Sequence, residues 1–257
     1  MTSIDQKNSK TFDVLGLDVA ITNLERAAHT ILGWANDNTG RFVCVRDVHG
    51  VMLSVKSPRL RQLHKSAAMI TPDGMPLVFL GRLAGHDIGR ACGADLMEKL
   101  IEIGQNPGIK HYFFGGKPGV AELLVEKFEK TCPKAKIVGI ECPPFREFTP
   151  AESVAIIDRI TKSKADILWV GMSTPKQEYW MESVFKKLPA TLIGVGAAFD
   201  FHAGQVRRAP KWMQKSGLEW LHRLASEPRR LWRRYLILAP KFVWLVVSQK
   251  LKHGKTL

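Results

Sequence analysis

HYFFGGKPGVAELLVEKFEK, residues 111–130, reads as three joined pieces. His111 to Phe114 make a short apolar run, Gly115 to Gly119 make a Gly-rich turn, and from Val120 the apolar positions recur at helical spacing. The same order returns downstream. DILWV (166–170) runs into GMSTPKQ and a helix from Glu178, and TLIGV (191–195) runs into GAAFDFHAG. Upstream, the apolar AAMI (67–70) enters the turn Pro72-Asp73-Gly74, with a helix expected over 75–84. Apolar runs alternating with helices imply a parallel sheet covered on both faces, hence an α/β fold. Ligands of such sheets sit beyond the carboxyl ends of the strands, where these loops gather. Pro, Asp and Gly equally suit a plain surface turn. The shared position after a strand makes the pocket reading of Asp73 as good as that one.

Nearer the start, residues 12–20 look like a short strand and turn, and 22–35 like a helix with Thr22 and Glu25 as a capping box. Residues 41–48 form a β-type run ending in Asp47 and His49, and 58–66 read as helical. The 257 residues, 45% of them hydrophobic, are enough for a large α/β domain with an appendage. Cys44, Cys92, Cys132 and Cys142 form no C-x-x-C pair, and the polar start MTSIDQKNSK has no apolar core of a signal peptide; a reduced, cytosolic protein is expected.

The net charge of +14 is uneven: residues 205–257 carry 13 Lys and Arg against 2 acids, leaving only +3 on residues 1–204. The chain is therefore divided into a core over 1–204 and a basic C-terminal appendage over 205–257. A basic terminal segment points to an anionic partner: nucleic acid, anionic lipid or a phosphate-bearing substrate. In GLEWLHRLASEPRRLWRRYLILAPKFVWLVV (217–247), Trp, Leu and Arg interleave, Pro228 and Pro240 are expected to divide the helices, and Leu231, Tyr235 and Leu238 share one face. No uncharged stretch approaches the length of a membrane span, and the longest candidate, YLILAPKFVWLVV (235–247), is interrupted by Pro240 and Lys241, so an amphipathic helix lying on a membrane surface fits better. Tail Trp and Arg also suit stacking on bases, but the regular aliphatic positions favour lipid over nucleic acid.

GGKPG lacks the Lys-Ser/Thr of a P-loop and the spacing of a dinucleotide fingerprint, yet Gly115 and Gly116 open a helix and can present N–H groups to a phosphate. An NAD-type oxidoreductase would want G-x-G-x-x-G after the first strand, which FDVLGLDVA does not supply. Ser173, Thr174, Lys176 and Gln177 crowd the loop after DILWV; Ser173 or Thr174 suits a helix cap, but four such side chains exceed what a cap needs. His49 and His202 read more readily as satisfied buried imidazoles than as functional groups. There is no D-x-D pair, no H-E-x-x-H, no Cys/His ligand spacing and no G-x-S-x-G elbow, so neither a metal site nor a Ser hydrolase has support.

TPDGMPL, FFGGKPG, ADILWVGMSTPKQEYW, GVGAAFDFHAG and RRAPKWMQKSGLEWLHRLASEPRRLWRRY occur in this order. Together they resemble the WecG/TagA/CpsF family of bacterial glycosyltransferases (glycosyltransferase family 26) over roughly residues 12–245. The resemblance implies a Rossmann-like, mostly parallel sheet with helices on both faces and a C-terminal appendage. It implies inverting transfer of a hexose or N-acetylmannosamine-type sugar from a UDP-sugar to a polyprenyl-diphosphate-linked saccharide, in cell-surface polysaccharide synthesis. No metal or other cofactor is implied, and the expected place of action is the cytoplasmic face of the cell membrane, peripherally bound. The family's general base falls on Asp73, its active-site Gln on Gln177, and its diphosphate-facing arginines on Arg223, Arg230 and Arg233. The chain departs from the family where T-x-N is common: it reads Val45-Arg46-Asp47, which makes Asp47 a rival or helper carboxylate to Asp73.

Overall fold

The computed structural model describes residues 10–35 and 37–252. An antiparallel hairpin, β1 (Thr11–Val14) and β2 (Leu17–Ala20), pairs as its own two-stranded sheet and packs on the core. Helix α1 (Leu24–Trp34) follows, with Asn23 rather than Thr22 as its cap: the Asn23 side chain accepts from the Arg26 N–H. The expected Thr22–Glu25 box therefore does not form; Thr22 is one residue too early to face the free N–H groups of the first turn.

Strand β3 (Arg41–Arg46) ends before Asp47, which instead caps α2 (Val48–Lys56) by accepting from the Gly50 N–H. After α3 (Pro58–Lys65) comes β4 (Met69–Pro72), two residues later than AAMI, then α4 (Met75–Leu83) and α5 (Gly93–Gly104). The quoted stretch supplies β5 (Lys110–Gly115) and α6 (Val120–Thr131). An edge strand β6 (Lys136–Glu141) and α7 (Pro150–Ser163) precede β7 (Ile167–Gly171), α8 (Lys176–Val184), β8 (Thr191–Gly194) and the short α9 (Ala198–His202). Helix α8 starts at Lys176, with Pro175 at the cap position and no side-chain cap bond, so neither Ser173 nor Thr174 caps it.

The six strands of the main sheet are ordered β4-β3-β8-β7-β5-β6, and all pairings are parallel. Alternate strand residues feed opposite faces, as the pleat requires. Phe42, Cys44, Phe114, Leu168 and Val170 enter one apolar cluster; Val43, Phe113, Ile167 and Trp169 enter the other, under α1, α5 and α6. The chain is thus α/β with both sheet faces covered. The pairing of Arg46 with Pro72 and of Gly115 with Gly171 brings the strand ends level. Asp47, Asp73, Gly116 and the 172–175 loop consequently share one edge.

The C-terminal segment forms α10 (Lys211–Lys215), α11 (Glu219–Ser226), α12 (Pro228–Trp232), a π-helical turn over Arg233–Leu238, and α13 (Ala239–Lys252). Pro228 starts a helix as expected, but Pro240 does not divide one: helical structure continues from 228 to 252. Pro240 has no N–H for the carbonyl four residues back, and the widened turn just before it takes up that mismatch. The face of Leu231 and Leu238 turns inward. Leu231 and Phe242 are buried, and Leu238, Leu245 and Val246 pack on the core cluster. The outward face leaves Trp232, Leu236, Ile237, Val243, Trp244, Val247 and Leu251 exposed. Among the described residues no helix is long and apolar enough to cross a membrane.

Candidate active site

Asp73 leaves β4 with its N–H donating to the Arg46 carbonyl at 2.8 Å, so the turn is tied to the end of β3. Gly74 backs onto Asp47: a Cβ placed at 74 would lie 3.4 Å from that of Asp47. The two aspartates therefore follow adjacent strands at the same level, with different surroundings. Asp47 has both oxygens engaged, Oδ1 by the Gly50 N–H at 2.9 Å and Oδ2 by an ion pair with Arg234 of the π-helical turn. Among the described residues the Asp73 side chain has a loose ionic contact, 3.5 Å from Arg90 Nη2, and it keeps 31% of its surface exposed. Burial raises the Asp73 carboxyl above the usual range; Arg90 and Arg223 draw it down and Glu219 pushes it up, with the net shift upward.

Arg90 lies in the loop between α4 and α5. Its Nε donates to the Asp73 carbonyl at 2.7 Å, and its Nη2 meets Glu219 of α11 at 2.6 Å. Close by, Asp95 of α5 pairs with Arg208 at 2.7 Å and accepts from the Cys92 thiol at 2.9 Å. The guanidinium groups of Arg208 and Arg223 both lie against the Phe201 ring, at 5.9 and 5.4 Å from its centroid. Arg223 sits 4.0 Å from Glu227 and is close enough to act electrostatically on Asp73. Arg230 and Arg233 lie outside this cluster: Arg230 is 63% exposed and pairs with Glu227 at 2.8 Å, and Arg233 is exposed with its guanidinium over Trp232.

Gln177 is buried in the first turn of α8. Its Nε2 donates to Glu178 Oε1 at 2.7 Å, and its Oε1 accepts from the Gly196 N–H at 3.2 Å, bridging the loops after β7 and β8. Glu178 is fully buried and faces Arg46 at 2.7 Å, an ion pair 2% and 0% exposed. Arg46 Nε donates to His64 Nε2 at 2.7 Å, while His64 Nδ1 donates to the Leu60 carbonyl at 2.7 Å. Burial, and then Arg46, push the His64 pKa down to about 3, so the imidazole is the neutral acceptor this arrangement needs. Beneath the carboxylates there is thus a charged brace joining β3, α3 and α8.

At the neighbouring strand ends, Gly115 and Gly116 hold φ of +134° and +79°. A side chain at 115 would begin 2.5 Å from the Gly171 carbonyl, which itself accepts from the Gly116 N–H at 3.0 Å. Beyond this turn a recess of about 240 Å³ is lined by Lys117, Gly119, Asp200 and Gln205, among others. The Ser173 carbonyl accepts from the Gln177 N–H, and Lys176 stacks its ammonium 4.2 Å over the Phe145 ring. His202 is a satisfied core imidazole, bonded to the Ala94 carbonyl and Lys127. Among the described residues no three His, Cys, Asp or Glu side chains come together as a metal site.

The fold therefore brings Asp47 and Asp73 to adjacent strand ends with Arg223 acting on Asp73, buries Gln177 between the loops after β7 and β8, and keeps Arg230 and Arg233 on the outer surface of the C-terminal segment. Arg90, Glu219, Arg234 and the Arg46–Glu178 pair were not singled out by the sequence reading. Each acts through a partner remote in the chain, for which the sequence carries no local pattern.

The profile of the family described as "Glycosyl transferase WecG/TagA/CpsF family" matches residues 12–256. A protein of Bacillus spizizenii named N-acetylglucosaminyldiphosphoundecaprenol N-acetyl-beta-D-mannosaminyltransferase is 27% identical over 230 residues, covering 89% of this chain and 87% of that protein. The chain belongs to the WecG/TagA/CpsF family and is a glycosyltransferase.

Proposed function

We propose that the protein moves an N-acetylmannosamine-type sugar from a UDP-sugar to a polyprenyl-diphosphate-linked N-acetylglucosamine, with inversion at the anomeric carbon. The name of the Bacillus spizizenii relative supports the sugar and the acceptor. Asp73 acts as the general base. It takes the proton of the acceptor hydroxyl as that oxygen bonds to the anomeric carbon, while the bond from that carbon to the UDP oxygen breaks and UDP leaves with the electron pair. The observation that carries this assignment is the contrast between the two strand-end carboxylates: both Asp47 oxygens are taken, and Asp73 is loosely held, partly open and more basic than usual. Asp47 then serves as a clamp for Arg234 beside the base.

Gln177 fixes the floor between the strand ends. The Gly115–Gly116 turn, whose Gly116 N–H is tied to the Gly171 carbonyl and so holds the two loops together, lets the donor approach the backbone closely, with Ser173 and Lys176 on the next loop. Arg223 meets the diphosphate, since a guanidinium offers a charged fork of donors and can stabilise the leaving group without a metal ion. Arg230 and Arg233 join it when the segment from 205 onward closes on bound donor, each exchanging its present surface contact for phosphate. Residues 1–204 form the catalytic core, and 205–257 complete the site and dock on anionic lipid at the cytoplasmic face of the membrane. The exposed row from Trp232 to Leu251 amid basic residues supports that docking. Nucleic acid is not a partner in this reading.

The test is incubation of the purified protein with individual UDP-sugars and a short-chain polyprenyl-diphosphate N-acetylglucosamine, read by product mass. One added N-acetylhexosamine from UDP-N-acetylmannosamine is expected. Product from UDP-glucose alone would overturn the donor assignment, and no product from any UDP-sugar would overturn the acceptor.

A further inference from the structure

We propose that Glu219, supplied by the C-terminal segment, is a positioning residue for transfer: it holds the Arg90 guanidinium off the Asp73 carboxylate and so leaves that carboxylate free to accept a proton. The inference rests on the reading of Asp73 as the base and adds a residue that this reading does not contain.

The geometry is a three-body contact with unequal arms. Arg90 is anchored by its Nε to the Asp73 backbone carbonyl at 2.7 Å, so the guanidinium cannot leave the neighbourhood of the base. Its Nη2 is nonetheless 2.6 Å from Glu219 Oε2 and 3.5 Å from Asp73 Oδ1. The first is the length of a strong charge-assisted bond; the second is a weak ionic contact. Arg90 and Glu219 are 19% and 16% exposed, so neither is strongly screened by water. Take the Glu219 charge away, and with Asp95 already held by Arg208 the anchored guanidinium turns to Asp73, less than an ångström beyond bonding distance. A closed Arg90–Asp73 pair would occupy a lone pair the acceptor hydroxyl needs and would favour the ionised, less basic carboxylate.

The other charged groups around Asp73 already have partners of their own. Asp47 is paired with Arg234, Asp95 with Arg208, and Arg223 lies beside Glu227. The Cys92 thiol, which also feels Asp73, is pushed up by burial and stays neutral. Glu219 is thus the group whose removal redirects Arg90, and Arg90 is the cation placed to respond. Because Glu219 belongs to α11, the base reaches full strength only with the C-terminal segment seated on the core.

The test is Glu219→Gln, which keeps the shape and a hydrogen-bonding oxygen toward Arg90. Two quantities are read. In the transfer assay, the acidic limb of the kcat/KM profile moves to lower pH, and the plateau falls about 3- to 10-fold as a weaker base is used. In a carboxyl 13C titration, with the Asp73 signal assigned through Asp73→Asn, that signal titrates at lower pH in Glu219→Gln than in the unaltered protein. Glu219→Gln combined with Arg90→Gln removes both charges and moves the Asp73 titration back upward. An unmoved or upward-shifted Asp73 titration in Glu219→Gln, whatever happens to the rate, overturns the proposal. A rate loss without movement of the limb also overturns it and reduces Glu219 to a support for α11. The base assignment fails separately: near-unaltered turnover by Asp73→Asn removes it, while the carboxyl titration still reads the effect of Glu219.

Discussion

Replacing Glu178 with Leu strips the partner from a guanidinium that is 2% exposed and held under the strand ends. Arg46 cannot leave: its side chain is threaded against Gly50, where any added Cβ would meet Arg46 Cδ at 2.6 Å, and its Nε is bonded to His64. An unpaired buried charge of this kind costs about 3–5 kcal/mol. For a chain of this length that corresponds to a fall in melting temperature of roughly 6–20 °C. Arg46→Met should cost a similar amount by stranding Glu178, plus about 1 kcal/mol for the lost His64 bond. The double variant Arg46→Met with Glu178→Leu removes both charges and replaces them with apolar volume. It should be more stable than either single variant, because the attraction within a buried pair does little more than offset its desolvation. Urea and thermal denaturation of the three variants give the cycle. If each single change costs under 1 kcal/mol, or the two costs simply add, the pair is not the brace described here. Turnover of Glu178→Leu should fall too, since Gln177 loses its 2.7 Å acceptor.

Asp73 should also make its own cost visible. Its carboxyl is raised by burial, so the native state holds the proton to higher pH than the unfolded chain, and stability falls as pH rises through that window. Asp73→Asn should therefore melt higher than the unaltered protein near neutral pH, with the gap closing in acid; a lower melting point at neutral pH contradicts the shift. If arginine stabilises the leaving diphosphate, transfer should persist in EDTA and gain little from magnesium or manganese, and a strict metal requirement would contradict that reading. Truncation after Lys215 should abolish both transfer and co-sedimentation with anionic vesicles. Arg230→Ala should lower transfer about tenfold while leaving vesicle binding largely intact; parallel loss, or no loss, would make the segment an anchor alone.

How much of this was legible in the sequence depended on whether a residue's role is local. The strands DILWV and TLIGV, the turn at Asp73 and the Gly115–Gly116 connection were readable because apolar runs and glycines report on the backbone that contains them. Helix α5 is not legible in the sequence: it opens on Cys92 without a capping side chain, so nothing marks its start. Strand β6 lies at the sheet edge with no residue fully buried, and KIVGIE lacks the continuous apolar signature of its neighbours. In the sequence Asp47 looks like the end of a strand because the β-branched Val48 follows directly, whereas its side chain begins a helix. Arg46, Arg90, Glu219 and Arg234 were out of reach. Arg46 meets Glu178, and Arg234 meets Asp47, across most of the chain, and only folding brings them together. Glu219 stands among so many basic and apolar residues that nothing local marks its carboxylate out.

Single-turnover transfer by Asp73→Asn, with UDP affinity measured on the same preparation, tests the central claim most directly. Asparagine keeps the shape and loses the basicity. The expected result is a rate lower by roughly 10²–10⁴-fold, the usual worth of a general base, with UDP binding little changed. Transfer at close to the unaltered rate would contradict the assignment and return Asp47, despite its two engaged oxygens, to consideration as the base.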